Sequence, residues 1–88
     1  SASAEEKSQA IDDMAKMTET SEQEAVLETL LKTEENIYDA FVQTSNHQIK
    51  ITIAAKESTP VLADQVIQMA YKELGHHPIS VEIKEMNT

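Results

Sequence analysis

At Ile37 the spacing of apolar residues changes from the three-to-four repeat of a helix to the two-residue repeat of a strand, and near Thr59-Pro60 it changes back. A segment whose apolar side chains alternate can bury only one face of an extended chain, so this switch fixes a sheet between helices. Tyr38, Ala40 and Val42 alternate with Asp39, Phe41 and Gln43. After the turn residues Ser45-Asn46-His47, Ile49, Ile51 and Ile53 alternate with Lys50 and Thr52. Two such runs joined by a short polar turn predict a β-hairpin. A third strand is predicted from Ile79 to Met86, where Ile79, Val81 and Ile83 alternate with Ser80, Glu82 and Lys84; Asn87-Thr88 is expected to fray.

Helices flank the strands. Residues 4 to about 18 show a narrow apolar repeat of Ala4, Ala10, Ile11, Met14, Ala15 and Met17 among charged residues. Ser21-Glu22-Gln23-Glu24 has the form of a capping box, which predicts a second helix with Val26, Leu27, Leu30 and Leu31 on its apolar side. Thr59-Pro60 predicts the start of a third helix with Thr at the N-cap and Pro at N1, and Gly75 its end. Ala63, Val66, Ile67, Ala70 and Leu74 form the face of this helix, flanked by Leu62 and Met69. The expected fold is therefore α+β in the order helix, helix, strand, strand, helix, strand. The helices should pack on one face of a three-stranded sheet and leave the other face wet. Strands two and three should run parallel, because a helix joins them. Whether the third strand pairs with the second or the first is open. The organisation expected is an acidic N-terminal helix over residues 1–20 and a compact αββαβ domain over 21–88. Leu30, Ile51 and Val66 are expected to meet in the core.

The chain has 88 residues, enough for one domain with a thin core. Its formal net charge is -9, with ten acids and three lysines in residues 1–36. It has no arginine and no basic cluster, so phosphate backbones and anionic membrane surfaces are poor partners. It has no cysteine, which excludes a disulfide framework, a thiolate metal site and a cysteine nucleophile. No apolar run is long enough to span a bilayer. The sequence starts at Ser1 rather than Met, and a trimmed or processed form is expected.

Few residues invite chemistry. His76 and His77 are adjacent, and adjacent side chains point apart on most backbones; Glu73 is the only further ligand near them in sequence. Glu5-Glu6, Asp12-Asp13 and Glu34-Glu35 are paired carboxylates. They lie on polar helix faces or at a helix end, without the burial that separates two pKa values. The sequence contains no G-x-S-x-G elbow and no glycine-rich phosphate loop. No catalytic, cofactor-binding or metal-ligating residues are assigned, and no enzyme is expected.

The order and spacing of several segments carry more information. Ala4-Glu5-Glu6-Lys7-Ser8-Gln9-Ala10, Leu27-Glu28-Thr29-Leu30-Leu31-Lys32-Thr33, Tyr38-Asp39-Ala40-Phe41-Val42 and Ile49-Lys50-Ile51-Thr52-Ile53 together resemble the extracytoplasmic domain of the stage III sporulation protein AH family. The resemblance covers essentially the whole chain. It implies a ring-building, KH-like fold similar to modules of type III secretion and flagellar basal-body rings. It also implies a bridge between mother cell and forespore in endospore-forming bacteria. In that arrangement an N-terminal anchor, absent from this chain, holds the protein in the mother-cell membrane. The domain lies between the two membranes, binds stage II sporulation protein Q and builds a homo-oligomeric ring. The resemblance carries no catalytic residues and no cofactor. The competing reading of the same architecture is a small KH-like nucleic-acid-binding domain. That fold needs a G-x-x-G loop, and Gly75 is the only glycine.

For an assembly module the candidate contact lies on the hairpin and the sheet edge nearest it, centred on Tyr38, Phe41 and Val42. Two of the three aromatics fall at 38 and 41. On a regular strand these positions face opposite sides, so the same helices cannot bury both. Large aromatics are enriched at interface hot spots.

Overall fold

The computed structural model describes residues 3–86; the fraying expected at Asn87-Thr88 lies outside them. The element order is α1 (Ala4–Lys32), β1 (Ile37–Ser45), β2 (Gln48–Ala55), α2 (Pro60–Leu74) and β3 (Ile79–Glu85). The expected α+β architecture is present, with one difference at the N-terminus. The two helices expected before Ile37 are a single helix of 29 residues.

The reason lies in what fills the stretch from Thr18 to Ser21. It holds no glycine or proline, so nothing forces the helix to stop. Thr18 donates its hydroxyl back to the Met14 carbonyl at 3.0 Å, so the hydroxyl is satisfied within the helix and the helix continues through it. The capping box that starts the helix is upstream. The Glu6 amide donates to Ser3 Oγ and the Ser3 amide to Glu6 Oε2, each at 3.2 Å. Glu5 and Glu6 then face the positive end of the helix dipole. Ser21 lies inside the helix, where its amide needs no cap.

The sheet has the order β1-β2-β3, so β2 is central and the third strand pairs with the second. β1 and β2 are antiparallel, and β2 and β3 parallel. Asn46 (φ 51°) and His47 (φ 62°) form the hairpin turn, both left-handed, as a two-residue turn that follows the strand twist requires. Thr59 caps α2 by accepting from the Leu62 amide at 3.1 Å. Gly75 ends it at φ 86° and ψ 178°, a conformation that side-chain-bearing residues rarely adopt.

Both helices cover the same face. The core comprises Leu27, Leu31, Ile37, Ala40, Val42, Ile49, Ile51, Ile53, Ala55, Leu62, Val66 and Ala70. In α2 the buried line is Leu62, Val66 and Ala70, one turn apart; Ala63, Ile67, Met69 and Leu74 form its half-buried rim. Ile51 and Val66 are fully buried as expected, whereas Leu30 is 37% exposed. The core-facing line of α1 is Leu27 and Leu31, spaced at i and i+4, and Leu30 falls about 80° to one side.

Only the last third of α1 is anchored in this way. Residues 4–19 are all exposed. A helix of this length spans about 44 Å, and the molecule measures 57 Å along its longest axis against 21 and 18 Å across. No helix of the described residues is long and apolar enough to cross a membrane.

Candidate interaction surface

The surface follows from the strand registers. Facing away from the helices, β1 presents Asp39, Phe41 and Gln43, β2 presents Lys50, Thr52 and Ala54, and β3 presents Ser80, Glu82 and Lys84. These form rows across the sheet, such as Phe41, Thr52 and Glu82. The face mixes both signs of charge, which gives no continuous basic track for a phosphate backbone.

Tyr38 and Phe41 are both exposed, at 48% and 54%. Strict alternation would have buried one of them. A register shift between Ile37 and Asp39 adds Tyr38 as an extra residue in the strand. Ile37, not Tyr38, then takes the core position opposite Ala55, and the aromatic is released outward. Val42 behaves differently. Its side chain is buried in the core, so it supports the strand beneath Phe41 rather than offering a surface.

The Val42 amide points to the outer edge of β1 and donates to Glu28 Oε2 at 2.8 Å. The next edge amide, that of Ala40, donates to its neighbour Asp39 Oδ1 at 2.9 Å. Carboxylates from α1 and from the strand itself thus occupy the β1 edge, where a partner strand would have to donate and accept. Phe41 also lines an open groove between α1 and β1, with Ser21, Glu24, Ala25 and Glu28 on the helix side. Beside it on α1 lies an apolar surface of Ala25, Val26, Thr29 and Leu30.

This helix surface is what sequence reading missed. The apolar repeat predicts Val26 and Leu30 in the core stripe, and only the true phase of the helix turns them outward. Farther along the exposed arm, Ile11, Met14 and Met17 are each about two-thirds exposed or more. Their narrow stripe is visible in the sequence, but not that it stays uncovered: only Met17 comes near the sheet, across an open groove from Thr44, Ser45 and Asn46.

The residues that invited chemistry do not converge. The His76 ring lies against Tyr71, with ring centroids 4.4 Å apart. The His77 ring lies 3.6 Å from where a Cβ at Gly75 would stand. Among the described residues no three His, Asp or Glu side chains gather in a way that could hold a metal ion. Glu5, Glu6, Asp12, Asp13 and Glu35 are exposed and Glu34 is half-buried.

A family model described as SpoIIIAH-like protein matches residues 1–83. The chain belongs to this family. The fold agrees: a chain in a solved structure described as the SpoIIQ-SpoIIIAH pore forming complex superposes with a TM-score of 0.83 at 30% identity. The match covers 97% of this chain and 74% of that one. No curated protein matches the sequence. The SpoIIIAH family is an interaction module of a sporulation complex and not a known enzyme family, which places this chain among proteins that work by binding proteins.

Proposed function

We propose that this SpoIIIAH-like domain is an extracytoplasmic assembly module that bridges the mother-cell and forespore membranes during endospore formation. It does so by binding stage II sporulation protein Q, and it repeats as a subunit of a ring. An anchor N-terminal to α1 holds the full-length protein in the mother-cell membrane, and the domain works in the space between the two membranes. The observation that carries this reading is the likeness, over 97% of the chain, to a chain of the SpoIIQ-SpoIIIAH complex. The exposed arm of α1 suits the role, since it sets the sheet apart from whatever precedes the helix. In this reading residues 1–20 are the arm and 21–88 the folded unit.

The contact is centred on Tyr38 and Phe41, with Val42 holding the strand from below. Two exposed aromatics, with the apolar surface of Ala25, Val26, Thr29 and Leu30 close by on α1, give a partner much area to bury at low entropic cost. The test is a binding titration against the extracytoplasmic domain of stage II sporulation protein Q with Tyr38→Ala and Phe41→Ala, each checked for fold by circular dichroism. Loss of more than about 1 kcal/mol, roughly fivefold in Kd, in at least one variant supports the location. Normal binding by both folded variants moves the contact elsewhere. No binding by the unmodified domain sinks the partner assignment itself.

A further inference from the structure

The two edges of the sheet are not equivalent. The β1 edge is closed by Glu28 and Asp39, as described above. The β3 edge follows a different pattern. The Ile49 amide donates to the Pro78 carbonyl and the Met86 amide to the Ala55 carbonyl. With the parallel register between these anchor points, residues 78, 80, 82, 84 and 86 turn their backbone groups toward β2. The amides and carbonyls of Ile79, Val81, Ile83 and Glu85 therefore point outward along the free edge. The side chains of Ile79, Val81 and Ile83 on the helix-covered face are only half-buried. This edge has both unpaired backbone groups and apolar surface still to cover.

We propose that this edge pairs antiparallel with the β3 edge of a second copy of the chain, about a two-fold axis through Ile83. Local charge selects the register. With the axis at Ile83, Glu82 faces Lys84 of the second copy and Lys84 faces its Glu82, so two opposite-charge pairs form on the open face. An axis at Glu82 sets two glutamates face to face. An axis at Lys84 does the same with two lysines, and an axis at Val81 leaves Glu82 opposite Ser80. Only the Ile83 register also stacks one isoleucine on its symmetry mate across a hydrogen-bonded position, where outward-pointing amides and carbonyls are exchanged.

Long-range charge favours the same edge. The acids concentrate in residues 1–36, and α1 packs against β1. Pairing through β3 makes a continuous sheet in which the two β1 strands lie five strand spacings apart, about 24 Å. That is more than two Debye lengths at physiological salt, so the acidic helices do not oppose the contact. Pairing through the β1 edges would bring them together. A two-fold contact closes at two copies, whereas a ring needs a heterologous contact on other surfaces. The pairing uses neither Tyr38 nor Phe41 and goes beyond the partner binding proposed above.

The test uses the chain alone, so its outcome is separate from partner binding. Sedimentation equilibrium up to about 1 mM should show a monomer–dimer equilibrium. Glu82→Lys and Lys84→Glu should each weaken it about tenfold by turning two attractions into two repulsions, and the double exchange Glu82→Lys/Lys84→Glu should restore it to within about threefold. The chain has no cysteine, so the register can be read by disulfide trapping. A mixture of Glu82→Cys and Lys84→Cys chains should give mainly the mixed disulfide, because the two positions face each other. A chain that stays monomeric throughout, a dimer indifferent to the single reversals, or like-with-like disulfides forming as readily as mixed ones would each overturn the proposal.

Discussion

If the apolar docking of α1 on the sheet rests on Leu27 and Leu31, then shortening one of these side chains should release much of the fold's stability, while shortening Leu30 should not. Leu27 and Leu31 are fully buried, and they are the only buried residues of a 29-residue helix. Leu31→Ala removes buried methyl groups and leaves a cavity walled by a rigid sheet, at about 3 kcal/mol or more. A chain of this size holds roughly 4–13 kcal/mol in total, so the loss is a large share of it. It corresponds to a fall in melting temperature of about 12–24 °C. Leu30 is 37% exposed, and alanine is the better helix former, so Leu30→Ala should cost less than about 1 kcal/mol. Urea denaturation followed by circular dichroism measures both, with the slope checked for constancy. Equal losses from Leu30→Ala and Leu31→Ala would show that the helix docks in another phase, and the exposed Val26–Leu30 surface would vanish with it.

Glu28→Ala should cost about 1 kcal/mol through the loss of a charge-assisted hydrogen bond to the Val42 amide, and hydrogen exchange at that amide should accelerate while the β2 amides hold. Gly75→Ala should destabilise by about 1–3 kcal/mol in thermal unfolding. A Cβ there meets His77 at an ordinary 3.6 Å, so the cost comes from the backbone conformation. Removing residues 1–20 should leave the melting temperature within about 5 °C, because residues 4–19 touch no core; a collapse of the fold would show that the arm is part of the folded unit.

Charge and apolar surface on this molecule constrain what can approach each part of it. Glu24 and Glu28 line the groove that Phe41 borders, at the foot of an arm that carries five of the chain's 16 acidic residues. A partner that covers Phe41 must therefore bring positive groups to the rim or leave those carboxylates in water. Rim charges of this kind act mainly on association rate and on salt dependence rather than on affinity. At the contact proposed above, the two aromatics would supply the area and the acidic rim the selection, which would let a small sheet with so few large side chains be specific.

The sheet was largely legible because alternation is a local property: each strand's inward residues can be read without knowing what covers them. Ile49, Ile51 and Ile53 are buried as their spacing required. What failed was phase and continuity, which depend on distant contacts. Leu27, Leu30 and Leu31 are equally apolar, and only docking on β1 decides that the middle one turns out. Tyr38 was read in register with Ala40 because a bulge leaves no mark in the pattern. Ser21 and Glu24 have the residue types of a helix start but do not form one. A Ser with Glu three residues on can cap a helix, but only where the amides of the Ser and of the residues just after it lack partners. Here the residues before Ser21 are already helical, begun by the same chemistry at Ser3 and Glu6. A capping box therefore marks a start only when something upstream, such as a glycine or a proline, has stopped the helix first. From Ala4 to Lys32 this chain has neither.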